Sequence, residues 1–331
     1  MKTYVHAVGG AGNNIVNNHI SNVIKSIPHI TSSVEFNYID TADTNIERLV
    51  DVEDENIFRL NSGLTGKSVD GAGGNRESLD VYITNFARDY ADKYSKVEND
   101  LHIIVSSSSG GSGSLLGPRL VSTLKELGKS VVFVTVYDLS SKKYTATTVS
   151  ALTHIELLGS RRNYTIPTIM VANTDTASAD AIVSKATIAI ILLAASNIKH
   201  LDNADVKAFF DGVYDEASNG LCPIVVTSNV DHLSSGYISS MRVLTDTHNL
   251  QLDDSVSNDI NQYKFGVIDT DNVLKTFTDI LSIDLPFYYA LVPNRMNEVI
   301  GSIKDRHKQF TTMTTTKESI LCDEGDLGVE L

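Results

Sequence analysis

The sequence contains no tryptophan, only two cysteines and six prolines in 331 residues, and 27 Lys and Arg against 41 Asp and Glu. Each shortage excludes something. Cys222 and Cys322 lie far apart and lack metal-type spacing, which rules out a disulfide-stapled framework or a thiolate metal cluster and points to free thiols in a reducing cytoplasm. A formal net charge of −14 lacks the basic face that phosphate backbones demand, so no direct nucleic-acid binding is expected. Long hydrophobic runs are missing too. The most apolar stretch, Ala186 to Ala195, is too short to span a bilayer and reads as a buried core helix, so no membrane association is expected. The first residues, "MKTYVHAVGG", lack the apolar core of a signal peptide.

What is present is ample apolar material, 42% of the chain, in a length that exceeds a single small core and suggests two domains. Thr3 to Val8 reads as a strand and runs into "GGAG". Ile15, Val16, Ile20, Val23, Ile24 and Ile27 follow at near-helical spacing, and "EFNYID" reads as a second strand ending at Asp40. This is a βαβ opening. The same order recurs: "DLHIIV" runs into a Ser/Gly tract, and Leu116, Leu120, Val121, Leu124 and Leu127 then mark one helical face closed by Gly128. "SVVFVTVY" and "IPTIMVAN" are nearly all apolar, as in strands buried on both faces. The pattern predicts an α/β fold with a doubly wound parallel sheet over 1–176. A long central core helix follows over 177–200, then a second, smaller α/β domain over 201–292 and a C-terminal helix with an acidic tail over 293–331. "CPIVVTSNV", "YKFGVID" and "PFYYALV" read as strands of the second domain, and 294–310 as a surface helix. The last fourteen residues hold five acids and no Lys or Arg.

Three glycine-rich loops stand out: "GGAGNN" at 9–14, "GAGGN" at 71–75 and "SGGSGS" at 109–114. Glycine lets backbone N–H groups approach an anion closely, and a helix opening after such a loop adds its positive end. In a parallel sheet the first and third loops fall at carboxyl ends of strands, where ligands bind. The Ser/Gly tract has the composition of a flexible linker, but its setting between a buried strand and a capped helix argues for an anion-holding loop instead. Known single-loop motifs fit poorly. "GKS" occurs at Gly66–Ser68 and Gly128–Ser130, but Asn61 and Thr123 stand where a P-loop needs its first glycine. A dinucleotide fingerprint begins at Gly10-Ala11-Gly12 but meets Ile15 at its third glycine position. Asp40 remains available to a ribose in that alternative, a Rossmann-type oxidoreductase. The hydrolase elbow G-x-S-x-G fails at Ser114.

Taken together, "GGAGNNIV", "YIDTADTN", "GAGGNRES", "SGGSGSLLGP" and "LDNADVK" resemble, in family order, the nucleotide loops, glycine-rich signature and catalytic loop of the tubulin/FtsZ superfamily of GTP-dependent filament proteins. The resemblance covers roughly 1–210. Ser109, Ser112 and Leu115 depart from the usual signature GGGTG[ST]G, and His200 stands where FtsZ-like loops often have Asn. The short chain and acidic end look most like the phage-encoded tubulins.

The resemblance implies GTP or GDP with Mg²⁺, the metal held mainly by the nucleotide phosphates. It puts Gly10, Ala11 and Gly12 under the α- and β-phosphates, and Ala72, Gly73, Gly74 and Asn75 toward the γ-phosphate. Gly110, Gly111, Ser112, Gly113 and Ser114 would wrap the phosphates from the other side, an anion nest without a lysine. Asp180 matches the position that reads guanine, Asn14 and Asn173 match other base or ribose contacts, and Asp43 falls near phosphates or metal. Asp202 and Asp205 are the catalytic candidates; their spacing alone equally suits an N-terminal helix cap. In the family this loop reaches the GTP of the next subunit, so the expectation is a GTPase completed between subunits of a head-to-tail filament. The filament would position phage DNA or its replication compartment in the bacterial host cytoplasm. The acidic tail is expected to dock on a neighbour's basic surface. A non-catalytic nucleotide-binding scaffold is the other alternative.

Overall fold

The computed structural model of the chain describes residues 1–60, 76–212, 220–228, 239–245, 263–268, 271–282, 287–292 and 294–323. Ten strands form one sheet: β1 (Lys2–Val8), β2 (Val34–Asp40), β3 (Ile57–Arg59), β4 (Asp100–Ser107), β5 (Ser130–Tyr137), β6 (Thr165–Ala172), β7 (Gly220–Thr227), β8 (Ser239–Thr245), β9 (Tyr263–Ile268) and β10 (Phe287–Leu291). Their order is β3-β2-β1-β4-β5-β6-β7-β10-β8-β9. Neighbours from β3 to β7 are parallel, whereas β10 runs antiparallel to both β7 and β8. The doubly wound order therefore holds for the first six strands, with the direction of winding reversing between β1 and β4. The smaller α/β unit is joined to it through β7, which pairs with β6 over Gly220 to Pro223 and with β10 over Ile224 to Thr227. β3, three residues long, and β8 are strands that hydrophobic patterning did not reveal.

Alternation along each strand feeds two cores. Val5, Ala7, Ile103, Val105, Val132 and Val134 face one side of the sheet; Tyr4, Val8, Ile104, Val131 and Phe133 face the other. Helices α5 (Arg76–Ala91), α6 (Ser112–Glu126) and α7 (Lys142–Arg162) cover the second face. The first face is covered by α1 (Gly9–Ile15), its continuation through a π-helical stretch (Val16–Ser21) into α2 (Asn22–Lys25), and by α8 (Thr176–Ala195) and α9 (Asn203–Asp211). Two further helical turns, α3 (Pro28–Thr31) and α4 (Asp43–Ile46), flank β2. By length and composition α8 is apolar enough to cross a membrane, but Ile188 to Ala194 are all buried between the sheet and the smaller unit, as a core helix requires. Tyr289 of β10 donates to the Ala189 carbonyl at 2.8 Å, tying the smaller unit to it.

Helix ends follow the chemistry of their residues. After α6, Gly128 adopts φ +74° and its N–H bonds the Lys125 carbonyl, while the Lys129 N–H bonds the Leu124 carbonyl: a Schellman stop that only glycine adopts without strain. α10 (Asp271–Leu281) packs on α8, whereas α11 (Asn294–Asp323) lies against α7 and β7, with Met296, Ile300 and Ile303 buried in the second-face core. The last helix runs well past the expected 294–310, so residues 318–323 of the acidic end are helical.

Candidate functional site

Two helices begin at the crevice between the carboxyl ends of β1 and β4: α1 straight from β1, and α6 after the Ser/Gly tract. Neither has a side-chain cap on its first N–H groups. Helices α7, α8 and α9 are capped by the side chains of Ser141, Asp175 and Asp202, whereas the single turns α3 and α4 lack such a cap as well. The uncapped pair leaves backbone donors and two positive helix ends for an external anion. The two loops meet backbone to backbone. A Cβ on Gly9 (φ +73°) would lie 2.7 Å from the Gly113 nitrogen, one on Gly113 2.9 Å from the Val8 carbonyl oxygen, and one on Gly12 2.2 Å from the Val105 carbonyl oxygen. Gly12 and Gly113 are therefore required by close packing, whatever they also contact. Gly110 and Gly111 differ: Gly111 is exposed, and a Cβ on Gly110 would make only ordinary contact with Ser107.

The polar side chains of the crevice converge on Asp40, which is completely buried at the end of β2. Its Oδ1 accepts from the Thr41 N–H (2.6 Å), the Ala42 N–H (3.2 Å) and Ser112 Oγ (3.0 Å). Its Oδ2 accepts from Asn45 Nδ2 (2.8 Å) and Asn13 Nδ2 (3.5 Å). With both oxygens taken up internally, Asp40 has no room for a ribose, which removes the main residue of the oxidoreductase alternative. Ser112 is spent likewise: its hydroxyl bonds Asp40 and Thr41 Oγ1 (2.6 Å), leaving only its backbone for a phosphate. Ser109, where the family usually has glycine, bonds Thr148 Oγ1 at 2.7 Å and accepts from the Asp138 N–H at 2.6 Å, pinning the loop to the β5–α7 connection. Ser114 turns its hydroxyl back to the carbonyls of Gly110 and Gly111. Asn13, Thr41, Asn45 and Thr148 were not foreseen. Asn13 lies inside the first glycine loop and Thr41 and Asn45 inside "YIDTADTN", so only Thr148 carried no sequence signal.

Beside the cradle, α8 packs along the π-helical stretch. Asn14 and Asn18 are exposed there, and Asp180 is half-buried near His19. Burial pushes the Asp180 carboxyl above the ordinary carboxylate range, and nearby His19 opposes this. The π-helix accounts for the five-residue step between the buried Ile15 and Ile20, and it turns Asn17 inward. There Asn17 clamps Val50, donating to its carbonyl at 2.9 Å and accepting its N–H at 3.1 Å. Asn173 follows β6, its N–H on the Tyr137 carbonyl at 2.7 Å. The side-chain oxygens of Asn13 and Asn173 are buried without a hydrogen-bond partner among the described residues.

Asp43 opens α4 and pairs with Arg59 at 3.5 Å in a half-exposed contact. Ala72, Gly73, Gly74 and Asn75 lie outside the described residues. Asp202 caps α9, accepting the Asp205 N–H at 2.8 Å, so the capping expectation is realised. The pair is not near the glycine loops. α9 packs against the starts of β5 and β6, with Asp211 Oδ1 accepting from Ser130 Oγ at 2.8 Å, and α8, a helix about 30 Å long, runs between it and the crevice. Among the described residues no group of three or more His, Cys, Asp or Glu gathers to hold a metal.

A phage tubulin-like protein of Pseudomonas phage PhiPA3 is 28% identical over 163 residues, a match that takes in 49% of this chain and 45% of that relative. The chain thus spans about half the length of the curated relative it matches. Among solved structures, a protofilament of TubZ from bacteriophage PhiKZ superposes with a TM-score of 0.77 at 18% identity, over 95% of this chain and 92% of that one. The phage tubulin PhuZ with GDP gives 0.75 at 19% identity, over 96% and 93%. Both share the fold described above. Residues 2–177, which carry the uncapped helices and the Asp40 hub, match the GTPase domain of the tubulin/FtsZ family, and the chain belongs to that family.

Proposed function

We propose that the protein binds and hydrolyses GTP and assembles head to tail into filaments. The observation that carries this is the pair of uncapped helix N-termini meeting across Gly9 and Gly113 at the β1/β4 crevice, a cradle of backbone donors with no lysine among the described residues that line it. Gly10, Ala11 and Gly12 on one side and Gly110 to Ser114 on the other line the phosphates with backbone N–H groups. Ala72 to Asn75 take the γ-phosphate. Asp180 accepts from guanine N1–H and N2–H₂, with Asn14 and Asn173 on base and ribose. Mg²⁺, bound chiefly by the phosphates with Asp43 nearby, offsets their charge.

Asp202 and Asp205 complete the active site of the adjacent subunit. Lying beyond the far end of α8, a helix about 30 Å long, they are remote from their own cradle but suited to a head-to-tail neighbour. One carboxylate orients and deprotonates the attacking water while the γ-phosphoryl bond to GDP breaks.

The acidic C-terminal segment docks on another subunit. The last buried side chain of α11 among the described residues is Ile303, and the helix continues to Asp323, about 30 Å farther. Among the described side chains of α11, the Lys and Arg residues are already engaged: Lys304 with Glu156, Lys308 with Asp305, Arg306 with Gln309. A groove of about 500 Å³ between α5, α6 and α7 is lined by Arg88, Arg119, Arg161 and Arg162, and among the described residues only Arg119 is paired, with Asp80 at 2.8 Å. Those guanidinium groups suit carboxylates. The relatives named above are phage proteins, and we assign the filament to the cytoplasm of an infected bacterium, where it positions phage DNA or the replication compartment.

Light scattering and phosphate release across protein concentrations test this. GTP, but neither GDP nor ATP, should drive assembly, and hydrolysis per subunit should rise steeply above a critical concentration. Hydrolysis per subunit that is independent of concentration refutes the shared active site.

A further inference from the structure

We propose that Asp40 is a positioning residue for the nucleotide: an anionic clasp that holds the phosphate cradle in its binding geometry before any ligand arrives. The inference rests on the GTP-binding function proposed above. Asp40 has five donors and, among the described residues, no ion pair. A buried carboxylate without a cationic partner is a costly way to stabilise a fold. Its donors come from three separate segments that each border the cradle: Asn13 in the first glycine loop, Thr41, Ala42 and Asn45 after β2, and Ser112 at the start of α6. Asn45 also lies over the first loop, its Nδ2 2.8 Å from where a Gly10 Cβ would be.

The chemistry explains the arrangement. A cradle without lysine draws its affinity from backbone N–H groups, which serve an anion only if already aimed at it. Asp40 accepts from side chains of the first loop and of the α6 start, and so fixes those loops without occupying the N–H groups at the two uncapped helix ends. It also gives the serine at 112 a purpose: the hydroxyl links the signature loop to Asp40 and to Thr41. In Asp40→Asn the retained oxygen can serve Thr41, Ala42 and Ser112, but the new amide faces the amides of Asn13 and Asn45. The first loop and the residue lying over Gly10 are then released.

The test measures GTP binding and GTPase kinetics in full-length protein for wild type, Asp40→Asn, Asn45→Ala and Ser112→Ala. A positioning role predicts KM and Kd for GTP raised at least tenfold in Asp40→Asn and at least threefold in each of the other two, with kcat recovered at saturating GTP. A merely structural role instead lowers kcat through a smaller folded fraction and leaves KM unchanged. If Asp40→Asn does not fold, the two peripheral variants decide: GTP affinity within twofold of wild type overturns the clasp. Wild-type protein that fails to bind GTP overturns the proposed function and the clasp with it; wild-type binding matched by all three variants overturns the clasp alone.

Discussion

Single residues in this protein separate packing from chemistry. Gly12 and Gly110 belong to matching glycine loops, yet a methyl group on Gly12 would lie 2.2 Å from a backbone oxygen, whereas one on Gly110 meets nothing closer than 3.7 Å. Gly12→Ala should therefore lower stability by about 1–3 kcal/mol, visible in the urea midpoint. Gly110→Ala should leave the midpoint unchanged and weaken GTP binding only. Asp202 poses the reverse problem, because one carboxylate is both helix cap and catalytic candidate. Serine caps nearly as well as aspartate, so Asp202→Ser spares the ~1 kcal/mol that alanine costs. If the carboxylate is catalytic, both variants bind GTP and assemble but hydrolyse slowly; Asp202→Ser hydrolysing at the wild-type rate would reduce Asp202 to a cap. Asp180→Asn should lose about tenfold to a hundredfold of the preference for GTP over ATP, since a charged acceptor is worth about 1.5–3 kcal/mol, measured by competition binding.

At the scale of elements, the same strands that carry the loops also carry a buried polar relay on the α5 side of the sheet. Tyr90 of α5 bonds His6 Nδ1 at 2.7 Å, His6 Nε2 bonds His102 Nδ1 at 2.9 Å, and His102 Nε2 bonds Asp100 Oδ2 at 2.9 Å. The carboxylate can only accept, so the protons order in one direction: His102 donates to Asp100, His6 to His102 and Tyr90 to His6. Burial holds His6 well below the ordinary histidine range, with neighbouring His102 adding to it; burial likewise lowers His102, against the pull of Asp100. In the unfolded chain both titrate near pH 6.5. The unfolded state therefore takes up protons first as pH falls. Stability should be at its full value above about pH 6.5 and decline below it, by at most about 2.7 kcal/mol per pH unit for two protons. Urea midpoints between pH 8 and pH 5 check this, and a flat profile would mean that these rings are not held neutral by the fold. The relay links α5, which follows the second glycine-rich stretch in sequence, to β1, which enters the first.

For the whole molecule, the geometry bears on the proposed head-to-tail assembly. The first and third glycine loops lie at one end of the parallel strands, the aspartate pair at the other, with α8 between them. Removing residues 319–331 should raise the critical concentration sharply, and Arg161→Glu with Arg162→Glu should reproduce that effect if the arginine groove is the tail's receptor. Sedimentation across concentrations reads both. Unchanged assembly after the deletion would leave the acidic end without a role in the filament.

Much of this architecture was legible before any coordinates. Alternating apolar strands, helices opening after glycine loops, and Gly128 as a stop are local patterns, set by backbone sterics and by which faces must leave water. Those patterns determined the parallel sheet, the buried α8 and the position of the cradle. Local pattern carries no information about partners brought together from distant segments. Only the tertiary structure decided that β7 joins the two units in one sheet, and that a π-helical turn directs Asn17 onto Val50. Only it showed that Ser109 and Ser112 spend their hydroxyls on Thr148 and Asp40. Asp40 took its character in the same way. In sequence it is an acid at the end of a strand, equally fit for a ribose; in the fold, donors from residues 13, 41, 42, 45 and 112 surround it, and that convergence makes it a clasp.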